Sequence, residues 1–197
     1  MNFIFIILTF LISAVIARIL IPRILLISLR KKLFDIPDDR KIHKRAIPRL
    51  GGVSFFPTTL FAFCLVYAFR MLDGDSISTL YASYLLPELL LFACGMTLLY
   101  LTGIADDLVG VRYRQKFAIQ IFCACLFPLS GLWINDLYGL FGIHELSAYV
   151  GIPFTVLTVV FITNAINLID GIDGLASGLS SVALLVFTFL FISKGLW

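Results

Sequence analysis

Long apolar runs separated by short polar stretches dominate this chain. Six runs approach the ~20 residues that a membrane-spanning helix requires: 3–27, 51–69, 85–104, 117–133, 150–169 and 175–193. Runs such as Phe3–Leu8 lack the alternation of a barrel strand. Helix is the remaining spanning solution, which predicts an all-α, multi-pass membrane protein with about six transmembrane helices. The first run begins apolar at Met1 without a basic leader and continues past Ile21. That is too long for the apolar part of a cleaved signal, so the N-terminus is expected to stay as the first span. No repeat, low-complexity tract or heptad divides residues 1–197, which read as a single membrane domain.

Composition strengthens this picture. The chain is 60% hydrophobic and 14% charged, with a mean hydropathy of +1.03. A soluble domain is typically about 25% charged and under 50% apolar. Nucleic acid is not expected among the partners. Cys64, Cys94, Cys123 and Cys125 all sit within apolar runs, and Cys123-Ala-Cys125 lacks zinc-ligand spacing. They read as small apolar side chains rather than a disulfide framework.

Charge matters through its placement. The first connection carries Arg30, Lys31, Lys32, Arg40, Lys41, Lys44, Arg45 and Arg49; the third carries Arg112, Arg114 and Lys116. The second offers only Arg70, against Asp73 and Asp75, and the fourth, Ile134–Tyr149, has neither Lys nor Arg. Basic connections stay on the cytoplasmic side, so the expected topology puts the N-terminus outside and the odd connections inside. With six spans, the connection around Asp170–Gly174 then shares the cytoplasmic face with the other two.

Two polar clusters stand out. Asn164-Ala-Ile-Asn167-Leu-Ile-Asp170-Gly-Ile-Asp173-Gly174 closes the fifth apolar run with two amides and two carboxylates. Such groups at membrane depth mark a functional site by default. Asn167 and Asp170 are i, i+3 neighbours on one helix face. Gly171 and Gly174 favour an end to regular helix. A simple capped helix end would need one carboxylate or glycine, not this cluster. The second cluster, Asp106-Asp107-Leu-Val-Gly110, follows the third run. Adjacent carboxylates raise each other's proton affinity unless a cation is near. Mg²⁺ is a natural partner, because it often binds through one or two carboxylates plus substrate phosphates. In the first loop, positive-inside charge accounts for most residues but not for Pro48-Arg49-Leu-Gly51-Gly52. The glycine pair permits close backbone approach, and the neighbouring cations can neutralise phosphate oxygens.

These three segments, in order, resemble successive signatures of the polyprenyl-phosphate N-acetylhexosamine-1-phosphate transferases, a glycosyltransferase family 4 type. The Pro-Arg-Leu-Gly-Gly form is more similar to the N-acetylglucosamine-1-phosphate branch than to the phospho-N-acetylmuramoyl-pentapeptide branch, which has Pro-Thr-Met-Gly-Gly. The resemblance implies a bacterial cytoplasmic-membrane enzyme whose active face is cytoplasmic. There the phosphate of a polyprenyl phosphate attacks the β-phosphorus of a UDP-N-acetylhexosamine, and UMP leaves. A polyprenyl-diphospho-sugar for cell-envelope glycan synthesis remains in the membrane. Mg²⁺, with Mn²⁺ as alternative, is the implied cofactor, and a homo-oligomer is compatible with the family.

Carried over by position, Asp170 is the expected metal ligand. Asp106 matches an aspartate proposed to deprotonate the lipid phosphate, and Asp107 supports the metal or nucleotide site. Lys44, Arg45, Arg49, Lys116, Asn164, Asn167 and Asp173 are the expected substrate and phosphate contacts. A phosphate monoester with its second pKa near about 6 is already mostly dianionic at neutral pH, which leaves Asp106 chiefly the task of organising charge. The family pattern continues with further spans, a later cytoplasmic aspartate and a histidine-rich loop. Lys194-Gly-Leu-Trp197 ends the sequence before them, and the expectation is the N-terminal part of a longer transferase, inactive by itself. Two alternatives differ in class. CDP-alcohol phosphatidyltransferases also use Asp-Gly motifs at a helix end, but their Asp-Gly-x-x-Ala-Arg pattern is not met here. A transporter or non-catalytic membrane module could use Asp and Asn for ions, but its polar groups belong near the midplane.

Overall fold

The structure, a computed structural model, describes residues 2–35, 47–48, 50–72, 76–170, 172 and 174–195. Among the described residues the chain is all-α apart from one short strand pair. Its helices are α1 (Asn2–Arg30), α2 (Phe55–Leu72), α3 (Ser76–Val109), α4 (Tyr113–Leu129), α5 (Ala148–Ile169) and α6 (Leu175–Ser193). Each of the six apolar runs is helical. Five helical stretches, Phe3–Arg30, Gly51–Leu72, Leu85–Val109, Ala148–Ile169 and Leu175–Ser193, are long and apolar enough to cross a membrane. The protein is therefore a multi-pass membrane protein. The remaining helix, α4, has 17 residues, about 26 Å at 1.5 Å per residue and the lower end of the spanning range.

The fourth predicted run does not reach residue 133. Helix α4 stops at Leu129, where Gly131 (φ 91°) turns left-handed. Leu132 N–H donates to Phe127 O and Gly131 N–H to Pro128 O, both at 3.0 Å. This paired termination satisfies the last carbonyls and sends Trp133 into the following loop. Helix α3 departs in the other direction, starting at Ser76 rather than 85 and passing through Pro87. Hydropathy alone finds only the part of a helix that is apolar.

The chain divides by contact into two compact units, Met1–Asp75 with Ile166–Trp197, and Ser76–Ala165. In the first, α1 packs on α2. The buried stripe of α2 is Thr58, Ala62 and Val66, spaced at four residues. Small side chains let two backbones approach in lipid, where no hydrophobic force drives helices together. The Thr58 hydroxyl donates back to Ser54 O at 2.8 Å, satisfying itself locally. At the other end of this pair the Arg70 guanidinium lies 5.7 Å from the centre of the Phe5 ring. Strands β1 (Phe34–Asp35) and β2 (Ile47–Pro48) pair antiparallel and bring the ends of the first loop together.

In the second unit α3 packs on α4 through Gly95, whose missing side chain admits Leu126 and Cys123. Phe92 meets Phe127 edge to face, 5.9 Å between ring centres. Helix α5 begins against the loop that follows α4. A Cβ on Gly151 would lie 2.5 Å from both Ile134 O and the Trp133 ring, so only glycine fits. One turn on, the Thr155 hydroxyl accepts from Ile134 N–H at 2.9 Å and donates to Gly151 O at 2.7 Å. All four cysteines are free thiols, as expected. Large apolar side chains such as Phe10, Phe161, Leu184 and Phe189 are outward and exposed. In water this surface would aggregate; in lipid it is the ordinary exterior.

Candidate functional site

Helix α3 ends in the Asp106-Asp107 motif because Gly110 (φ 72°) turns left-handed there. Gly110 N–H still donates to Asp106 O at 3.0 Å. The next amide, Val111 N–H, is taken by the Asp106 carboxylate at 3.0 Å. The other carboxylate oxygen forms an ion pair with Lys116 Nζ, in the first turn of α4. Asp106 thus bridges the end of one helix and the start of the next. Neither partner is fully buried, with side chains 29% and 26% exposed, so the charges stay accessible from solution. Asp107 is exposed beside it.

One turn deeper on α4 the expectation was incomplete. Gln120 is buried, and its amide faces Asn164 of α5. Asn164 Nδ2 donates to Gln120 Oε1 at 2.7 Å and to Val160 O at 2.8 Å, while Gln120 Nε2 returns a bond to Asn164 Oδ1 at 3.4 Å. The sequence signal was present. Gln120 is an amide inside an apolar run, four residues after Lys116, and an amide at that depth needs a partner.

Asn167 lies in the last turn of α5, and Asp170 follows as the helix closes with Asp170 N–H donating to Ile166 O at 3.1 Å. Both side chains are exposed. Gly174 (φ 75°) occupies the left-handed position that opens α6, where a residue with a Cβ would be strained. Among the described residues, Asp106 and Lys116 are brought together, and so are Asn164 and Gln120. Lys44, Arg45, Arg49 and Asp173 lie outside the described residues. The glycines of Pro48-Arg49-Leu-Gly51-Gly52 form a 3₁₀ turn leading into α2. A Cβ on either would meet nothing within 4 Å among the described residues.

No group of three or more His, Cys, Asp or Glu side chains gathers among the described residues. The donors present are hard oxygens. Asp170 is an exposed carboxylate at a helix end, and Asn167 precedes it on the same helix. That chemistry fits Mg²⁺ held by few protein ligands, with phosphate oxygens completing the shell. It does not fit a closed all-protein cage.

Residues 89–197, more than half of the chain, match the family model described as glycosyl transferase family 4. Among curated proteins, the chain is 30% identical to a probable undecaprenyl-phosphate N-acetylglucosaminyl 1-phosphate transferase of Bacillus subtilis, over 96% of this chain and 49% of that protein. It is 29% identical to a phospho-N-acetylmuramoyl-pentapeptide-transferase of Staphylococcus carnosus, over 96% of this chain and 60% of the relative. An undecaprenyl-phosphate α-N-acetylglucosaminyl 1-phosphate transferase of Thermotoga maritima is 30% identical over 85% of this chain and 47% of its own length. The chain thus spans about half the length of the curated relatives it matches. No solved structure matches. The motifs at the ends of α3 and α5 and the family match over residues 89–197 agree: this chain belongs to glycosyl transferase family 4.

Proposed function

We propose that the protein to which these residues belong transfers N-acetylhexosamine-1-phosphate from a UDP-sugar to a polyprenyl phosphate, releasing UMP, with UDP-N-acetylglucosamine and undecaprenyl phosphate as substrates. Support comes from family membership and from the names of the relatives, two of which are N-acetylglucosaminyl 1-phosphate transferases acting on undecaprenyl phosphate. The observation that carries the reading is the Asp106–Lys116 pair beside Asp107 at the end of an apolar helix. It puts a fixed cation and two carboxylates where a helix leaves the membrane, the level at which a lipid phosphate meets a soluble nucleotide sugar.

In the reaction an oxygen of the lipid phosphate forms a bond to the β-phosphorus of the UDP-sugar. The bond from that phosphorus to the bridging oxygen breaks, and the oxygen departs with UMP. Lys116 offsets phosphate charge, and Asp106 holds Lys116 in place. Asp106 can also take the proton of any lipid phosphate still in its monoanionic form, while Asp107 supports the nucleotide or metal site. Asp170, with Asn167 before it, would hold Mg²⁺ or Mn²⁺. The metal when bound would supply charge neutralisation of the diphosphate. Lys44, Arg45, Arg49 and Asp173 complete the proposed contacts, and the glycine pair Gly51–Gly52 would permit close approach of a phosphate to the backbone. The proposed location is the bacterial cytoplasmic membrane, with the N-terminus outside and these groups on the cytoplasmic face.

The test is release of UMP by the full reading frame in liposomes supplied with undecaprenyl phosphate, UDP-N-acetylglucosamine and Mg²⁺. UMP release that requires both lipid phosphate and metal is the expected result. UMP appearing without the lipid, or none with any UDP-N-acetylhexosamine, would overturn the reading.

A further inference from the structure

Residues Lys116 and Gln120 lie four apart on α4, on one face and one turn from each other. Lys116 holds the carboxylate at the end of α3, and Gln120 holds the first amide of the α5 motif. The rest of that face is apolar, with Cys123 and Ala124 fully buried and Phe127 against Phe92. If packing were all that position 120 supplied, an apolar side chain would serve in lipid, since a buried amide is costly unless satisfied. Gln120 is 6% exposed and is satisfied by a reciprocal amide pair. Two bonds in opposite directions fix the rotation of one helix against another, which apolar contact leaves free. Asn164, for its part, has both amide protons committed, to Gln120 Oε1 and Val160 O. Nothing remains on its nitrogen to donate to a substrate.

We propose that Gln120 is a positioning residue for the transfer reaction, acting through Asn164. The α4 face that holds Asp106 by Lys116 also sets the start of the α5 motif by Gln120, and Asn164 serves to orient rather than to touch substrate. This rests on the transferase reading above.

The experiment measures UMP release by the full chain in liposomes, normalised to folded, monodisperse protein. For Gln120→Leu, kcat should fall by roughly 10²-fold, the scale of a small misplacement at a reacting centre. Its KM for UDP-N-acetylglucosamine should stay within about threefold, because the lost interaction is not with the sugar nucleotide. Gln120→Leu with Asn164→Leu should be no slower than the slower single variant. The exchanged pair Gln120→Asn with Asn164→Gln, which can rebuild both bonds, should recover much of kcat. Where Gln120→Leu does not fold, Gln120→Glu decides, since it keeps the acceptor for Asn164 Nδ2 and loses the return donor; an intermediate kcat is expected. A wild-type kcat per folded molecule in either variant would reduce the pair to packing and overturn the proposal. So would a raised KM with kcat intact, which would put the amide on the substrate. Wild-type protein that releases no UMP overturns the transferase reading itself, whereas an active wild type with unaffected Gln120 variants overturns the positioning role alone.

Discussion

Asp106→Asn separates what the carboxylate does for the fold from what it does for the reaction. In the native protein one oxygen accepts Val111 N–H and the other pairs with Lys116. Asparagine keeps the shape and one acceptor, and loses the charge. With both partners about a quarter exposed, an ion pair of this kind contributes about 0–1 kcal/mol. The Val111 N–H bond survives on the remaining amide oxygen, so the variant should lose no more than about 1 kcal/mol of stability, a fall in Tm of a few degrees at most for a chain of this size. Removing a positioned charge from a reacting phosphate is a larger effect, about 10²–10³ in rate. The two readouts should diverge: nearly native unfolding, strongly reduced transfer. The assay is UMP release under saturating Mg²⁺ alongside thermal unfolding in the same detergent. Lys116→Met should give a similar loss, and the double variant should be no slower than the slower single, because each removes the same coupled unit. Transfer within about threefold of wild type would show that Asp106 only caps a helix, and the reasoning from geometry to chemistry would fail.

Asp170→Asn should abolish transfer while leaving membrane insertion intact; near-normal rates across a Mg²⁺ titration would remove Asp170 as the metal ligand. Gly151→Ala should lower stability by about 1–3 kcal/mol, the cost of forcing atoms into a filled space, since its Cβ would strike the backbone carbonyl of Ile134. An unchanged unfolding temperature would mean that the loop before α5 is not seated as described. Single cysteines at Lys41 and Asp136 should be labelled by an impermeant reagent from the cytoplasmic and the outer side respectively. The reverse pattern would take the basic loop away from the proposed active face.

The linear pattern was enough to settle the architecture. Apolar length decides whether a segment crosses lipid, because the bilayer core offers the backbone no hydrogen-bond partner but itself, and each of the six runs forms a helix over most of its length. The motifs were legible for a related reason. Asp106-Asp107 and Asn164 to Asp173 are polar residues where polarity is expensive, so they are visible without any neighbour. Helix ends were less legible. Leu129 ends α4 because Gly131 can turn left-handed and the chain can fold back on Phe127 and Pro128, which depends on conformation rather than hydropathy. Partnership was not legible at all. Nothing in the order of residues says that Gln120 and Asn164 exchange amide hydrogen bonds, which the folded chain brings about. Lys116 was one of several cations until the turn after Gly110 laid it against Asp106. A single sequence records which side chains need partners, but only packing, which brings together residues 44 positions apart in the case of Gln120 and Asn164, decides which partners they get.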